Sequence, residues 1–328
     1  MKNILKYLLI LTLFQSYGQE MNLPVFTQYL ADNDFVVSPT FAGIGDNFRI
    51  RANGLMQWVG IKNAPQNQAV YADIRMANRS GAGVSAYNDQ NGNTRQQGIK
   101  FSYAHHLILD YKSKQYLSLG LSFNVNSFRI DIENFNPTYD IPIVDPSITD
   151  DRSVVNKNFD VGALYRINSY WLSVNANNLL EKDANTFEGT EPTTLLNMQV
   201  YSGYTFKGNN YSEIEPSVFY QLFASDNRSS TDINIKYRKY NGYNDFYWIG
   251  GSYRFLNDQV MVPLNIGPMV GFKKSIFYFS YAYQITVNDL SGFNSGTHAV
   301  TIGFDLLQEL SDCPCTEGKY KQGNKLYQ

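Results

Sequence analysis

The run Leu117-Ser118-Leu119-Gly120-Leu121-Ser122-Phe123-Asn124-Val125-Asn126 changes polarity at every residue. In an extended chain its leucines, Phe123 and Val125 fall on one side, and its serines, Gly120 and the asparagines on the other. That is the pattern of a strand lying between an apolar and a polar environment. The same period recurs from Phe48 onward. Phe48, Ile50, Ala52, Gly54, Met56 and Trp58 oppose Arg49, Arg51, Asn53, Leu55 and Gln57, while Phe277, Phe279, Tyr281, Tyr283 and Ile285 oppose Tyr278, Ser280, Ala282 and Gln284. No segment after the N-terminal leader has a helical period. The expected fold class is all-β.

Alternation and turn signals predict about fourteen strands, near 48–60, 67–75, 82–88, 96–109, 116–132, 159–166, 170–179, 196–206, 213–223, 231–239, 246–255, 260–272, 276–287 and 297–304. Many reach the roughly ten residues that a tilted strand needs to cross a bilayer. The connections sort by parity. Met76–Gly81, Asp110–Gln115, Ile167–Ser169, Lys207–Ser212, Tyr240–Asp245 and Lys273–Ser275 are short, whereas Glu133–Asn158, Leu180–Leu195 and Asn288–Gly296 are long and lie at the other end. Short turns on one side and long loops on the other are the layout of an outer-membrane β-barrel with both termini in the periplasm.

Composition agrees. Of 328 residues, 25 are Tyr and 21 Phe, and only 17% are charged, yet the mean hydropathy is −0.33, so the apolar residues are dispersed as strands disperse them. Met1–Gly18 reads as a secretory signal peptide: Lys2 and Lys6, an apolar stretch Leu8–Phe14, then Ser16-Tyr17-Gly18 as a cleavage site. With 27 basic and 29 acidic residues and no basic block, nucleic-acid binding has no electrostatic support. Trp58, Tyr116, Tyr170, Tyr204 and Tyr237 are expected at the membrane interfaces. The two cysteines, Cys313 and Cys315, are too few for a disulfide framework, and a bridge across one proline would be strained. They are expected as two thiols in an exported tail.

If the apolar faces meet lipid, the opposite faces line the lumen. They carry Arg49, Arg51, Arg75, Lys100, Arg166, Lys236, Arg238 and Arg254 against Asp73, Asp160 and Glu215. About fourteen strands enclose more space than wall side chains fill. Upstream, Gln19–Asn47 contains Glu20, Asp32, Asp34 and Asp46 with no lysine or arginine, and apolar anchors including Val25, Phe26, Leu30, Phe35, Val37 and Phe41. An acidic, partly apolar segment ahead of a basic lumen suggests a plug in which buried charges find partners; a periplasmic arm beside an open pore is the alternative. The chain divides into a signal peptide (1–18), a plug- or hatch-like segment (19–47), a barrel (48–304) and a periplasmic tail (305–328).

Catalytic chemistry has little to stand on. His105 and His106 are adjacent on one strand and point to opposite faces, and no nucleophile motif is present. Asp89-Gln90-Asn91-Gly92-Asn93 lacks the glycine and distal glutamate of a calcium loop and reads as a hairpin turn. The acids Glu133, Asp140, Asp145, Asp150 and Asp151 read as a solvated loop. Neither an enzyme, a metal site nor a cofactor is expected.

Three clusters resemble one family. Pro24-Val25-Phe26-Thr27-Gln28-Tyr29-Leu30, Ser38-Pro39-Thr40-Phe41-Ala42-Gly43, and Gln57-Trp58-Val59-Gly60 with Ala64-Pro65 are similar to the PorP/SprF pattern F-T-Q-Y-M, N-P-A-Y-A-G, Q-W-V-G and A-P. Here Ser38, Thr40 and Phe41 replace Asn, Ala and Tyr of the middle motif, and Leu30 replaces Met. That family comprises outer-membrane proteins of the type IX secretion system of Bacteroidetes, including gliding bacteria. The resemblance implies a barrel in a Gram-negative outer membrane that supports export or surface attachment of an adhesin-like protein carrying a C-terminal sorting domain, together with other secretion components. It places Gln57–Gly60 at the end of the first strand. The rival reading is a passive channel or hydrophobic-substrate transporter, since such barrels also have an N-terminal hatch.

Overall fold

The computed structural model describes residues 33–45, 48–130, 152–181, 195–209, 211–225, 227–241, 245–257, 263–287, 292–307 and 313–317. Its strands are β1 (Phe48–Met56), β2 (Gln66–Ala77), β3 (Ser80–Asn91), β4 (Thr94–Asp110), β5 (Gln115–Ile130), β6 (Arg152–Ile167), β7 (Tyr170–Asn177), β8 (Asn197–Tyr204), β9 (Phe206–Gly208), β10 (Ser212–Phe223), β11 (Ser229–Tyr240), β12 (Phe246–Leu256), β13 (Pro263–Lys274), β14 (Phe277–Thr286) and β15 (Thr297–Leu306). Each pairs antiparallel with its neighbour, and β15 returns to β1 through Phe48↔Leu306. β8 and β9 are one wall strand. Both pair with β10, through Gly203↔Ser217 and Phe206↔Ile214, and between those pairs lies Pro216, which has no N–H to give. The wall is a closed, fourteen-strand antiparallel barrel.

The burial pattern is that of a soluble sheet turned inside out. On β5 Ser118 is fully buried, whereas its neighbour Leu119 is 49% exposed. Ile99, Phe101 and Tyr103 of β4 and Val218 of β10 likewise face outward. Polar inside and apolar outside is the arrangement of a barrel whose solvent is lipid. A closed wall also leaves no unpaired strand edge in that solvent.

Fourteen predicted segments coincide with wall strands, with differences at their ends. β1 stops at Met56, before Gln57–Gly60, where Trp58 and Gly60 take φ of 46° and 105° and turn the chain. β3 runs to Asn91, and Gly92-Asn93 make the turn. The expected loop Glu133–Asn158 ends early, because β6 begins at Arg152, where it pairs with Ile130 of β5, and not near 159. β13 begins at Pro263, and β15 reaches Leu306, so Asp305 belongs to the wall and not to the tail. Tyr204 and Tyr237 are exposed on the outer face, but Tyr116 is only 3% exposed and faces inward, so it is no interfacial aromatic. Cys313 and Cys315 are not free thiols: they are joined in a disulfide within a buried turn.

Candidate functional site

Residues 33–45 lie against the inner wall. They form two 3-10 turns, Asp34–Val36 and Pro39–Phe41. Pro39 suits the start of its turn, since the N–H it lacks would be unpaired there. Ser38 caps that turn: its Oγ accepts from Thr40 N at 3.2 Å and bonds Thr40 Oγ1 at 2.6 Å, and its hydroxyl donates to Asn175 Oδ1 on β7. Phe35, Val37, Phe41, Ala42 and Ile44 are buried in one cluster with Ala104, Leu164, Trp171, Tyr201 and Phe219 of the wall. Burying a phenylalanine is worth about 2–3 kcal/mol, so Phe35 and Phe41 hold the segment down, while polar contacts fix where it sits.

Close approach requires missing side chains. A Cβ on Gly120 would stand 2.6 Å from Thr40 N, and one on Gly43 would stand 2.8 Å from Gly81 Cα. Gly43 also has φ of 74°, a conformation that favours glycine. The wall grips the backbone that follows. Asp73 accepts from Gly43 N at 2.9 Å and from Arg49 Nη2 at 2.8 Å. Arg75 donates to the carbonyls of Gly43 and Gly45. His106, fully buried, has Nε2 3.0 Å from Ala42 O and Nδ1 2.8 Å from Ser118 Oγ. A carbonyl only accepts, so Nε2 carries the proton and Nδ1 takes the serine hydroxyl. His105 stands on the opposite face, beside Ser80 and outside this network.

The C-terminal turn meets the same segment at the short-turn end. Gly45 N donates to Thr316 O at 3.0 Å, and Thr316 Oγ1 donates to Asn78 O at 3.2 Å. Arg166 donates to the carbonyls of Glu317, at 3.2 Å, and Cys315. Its guanidinium lies over the Tyr116 ring at 5.4 Å, and Tyr116 packs on the disulfide.

Elsewhere the inner charges are paired by strand register. Arg49 opposes Asp73, Glu215 opposes Lys236, Glu213 opposes Arg238 and Asp232 opposes Arg254. The corresponding N···O distances are 2.8, 3.3, 3.2 and 2.7 Å. Arg51 and Lys273 share Asp305, each at 2.6 Å, and Lys100 reaches Asp160 at 2.6 Å. The lumenal excess of base is therefore smaller than expected, because Glu213, Asp232 and Asp305 also face inward. Glu213 and Asp232 share strand parity with Glu215 and Lys236, a signal present in the sequence. Asp305 fell one residue past a predicted end.

Of the motif residues, Pro39, Phe41, Ala42 and Gly43 come together against the wall. Gln57, Trp58, Gly60 and Pro65 lie at the opposite, long-loop end, where Gln57 N donates to Pro65 O at 2.9 Å. Pro24, Phe26, Thr27, Gln28 and Tyr29 lie outside the described residues. Residues 18–304 match the family model of the type IX secretion system membrane protein PorP/SprF. The chain belongs to that family. No curated protein matches this PorP/SprF chain in sequence. Among solved structures it is similar to the CymD monoaromatic hydrocarbon channel (10% identity, 88% of this chain and 93% of that one, TM-score 0.46). It is also similar to the toluene transporter TbuX of Ralstonia pickettii (8%, 81% and 91%, 0.46) and to BamA of Haemophilus ducreyi lacking POTRA domains 1–3 (9%, 79% and 70%, 0.41). These likenesses concern the barrel alone. What the PorP/SprF sequence did not disclose is the grip on Ala42–Gly45: Asp73 and Arg75 come from β2, Gly81 from β3, His106 from β4 and Gly120 from β5, and only small residues on the polar face of β3 and β5 hinted at a close-packed partner.

Proposed function

We propose that this protein acts in the outer membrane without catalysis, binding a partner protein with a C-terminal sorting domain and supporting its export or surface attachment. Family membership supplies the secretion context. The observation that carries the mechanism is the hold on residues 42–45 by Asp73, Arg75 and His106. A wall that engages its own segment through backbone contacts works as a closed scaffold, and the partner docks on it instead of passing through an open lumen. The segment 19–47 is the plug in this reading, and the long loops are the surface offered to cargo.

Gentle extraction of the tagged protein from outer membranes, followed by mass spectrometry, tests the proposal. A large sorting-domain protein recovered in near-stoichiometric amount is the expected result. Protein recovered alone that conducts ions in planar bilayers overturns it in favour of a channel.

A further inference from the structure

The short-turn end carries a charge that cargo binding at the long loops leaves unused. Among the described residues of these turns and adjoining strand ends, Arg79, Lys112, Lys114, Lys207 and Lys274 are exposed and Lys239 is half-buried. Among the described residues the acids at the same level are Asp110, Asp245 and the buried Glu317, whose charge acts on Arg166. Asp110 accepts from Lys112 N at 3.0 Å and Ser113 N at 3.2 Å, and Asp245 accepts from Ser275 N at 2.7 Å. The deeper carboxylates Glu213, Glu215 and Asp305 are taken by the ion pairs of the wall. Six cations against three acids leave the described rim positive.

Within that rim is a cavity of about 30 Å³ lined by Tyr116, Arg166, Ser169, Tyr170, Thr205 and Lys207, with Asn168 and Trp171 completing it. Among the described residues no carboxylate lines it. Its volume holds about two or three waters, which is the size of one carboxylate group. Arg166 is 7% exposed; its terminal nitrogens go to the Glu317 and Cys315 carbonyls, the Glu317 carboxylate acts on it at longer range, and among the described residues it makes no direct ion pair and its buried Nε has no hydrogen-bond partner. Lys207 opposes Glu213 in register, but that carboxylate accepts from Arg238 at 3.2 Å and Tyr240 at 2.7 Å. Arg166 therefore keeps one donor unspent beside a second cation, in a pocket of hydroxyls and aromatic rings.

We propose that the short-turn end docks an acidic segment of a protein partner, one carboxylate of which enters the cavity between Arg166 and Lys207. This rests on reading the short turns as the side that faces the other secretion components. Positive rims of this kind raise the rate of encounter and set orientation, while the enclosed contact sets residence.

Fluorescein-labelled hexaglutamate, titrated by anisotropy against the purified full-length protein in detergent at fixed ionic strength, is the test. Saturable binding is expected, absent with hexaglutamine, weakened about fivefold by Lys207→Gln and about tenfold or more by Lys112→Gln/Lys114→Gln/Lys207→Gln. Arg95→Gln, at the opposite end, is expected to leave it unchanged. These are surface substitutions, and heat-modifiable migration on gels verifies that each variant barrel folds. Equal affinity for hexaglutamine, or a triple variant that binds like the parent, overturns the proposal. Loss of hexaglutamate binding in nanodiscs containing phosphatidylglycerol, but not in phosphatidylcholine alone, assigns the lysines to lipid headgroups and also overturns it. The secretion reading fails separately: peptide binding retained without any co-purifying cargo sinks that reading and not this one.

Discussion

Asp73 is the residue on which two tasks meet, since one carboxylate holds Gly43 N and neutralises Arg49. Asp73→Asn keeps an acceptor for Gly43 but removes the charge that pairs with Arg49, and losing a charge-assisted hydrogen bond costs about 2 kcal/mol. The expected outcome is a lower midpoint of urea unfolding in micelles, with the barrel still formed. Gly120→Val probes a different term. The added side chain would enter the space of Pro39 and Thr40, while outward-facing neighbours on β5 are untouched. Cross-linking of a Ser38→Cys/Asn175→Cys pair, in a Cys313→Ser/Cys315→Ser background, is expected to be efficient in the parent and largely lost with Gly120→Val. Efficient cross-linking in both would show that Gly120 does not set the approach of the segment.

At the level of elements, the C-terminal turn Cys313–Glu317 closes two accounts at once: it receives Gly45 N and gives Arg166 its carbonyl acceptors. Truncation after Leu307 removes both. The wall strands keep all their pairings, so the barrel is expected to fold. Residues 33–45 are expected to become several-fold more susceptible to limited proteolysis, because local opening no longer breaks the Gly45 contact. Unchanged cleavage would mean that the wall clamp at Ala42–Gly43 suffices alone. β10 makes the complementary point about legibility. Its alternation is plain in the sequence, yet the lapse that separates β8 from β9 depends on which residues Pro216 faces, and register is a property of the pair, not of either strand.

For the whole molecule, the question is whether the lumen is closed. A fourteen-strand wall cannot fill its own interior, and the described segment engages inward side chains of β2, β4, β6, β7, β8 and β10 and glycines of β3 and β5. Deletion of residues 19–45 is expected to raise single-channel conductance in planar bilayers by an order of magnitude or more over the intact protein. Equal conductance would place the closure elsewhere or show the pore to be open from the start. The inner ion pairs bear on the same scale. Arg49–Asp73, Lys236–Glu215, Arg238–Glu213 and Arg254–Asp232 join neighbouring strands around the wall, so inward charge is spent on the wall itself and little is left to select a permeating ion.

By itself the sequence determined that the chain is a barrel, because a period of two with the polar face inward is written residue by residue and survives any error in strand ends. Its loop lengths set the two ends apart, and its motifs placed it in a family. Tertiary structure alone decided what the inward residues do. Whether Arg166 meets a carboxylate or a tail carbonyl, whether Tyr116 faces lipid or a disulfide, and whether Gly120 is a weak point or a seat for Thr40 all depend on contacts between positions far apart in the chain. Alternation specifies a face. It cannot name the neighbour across the lumen, because that neighbour is fixed by register, closure and the path of a segment that has no period of its own.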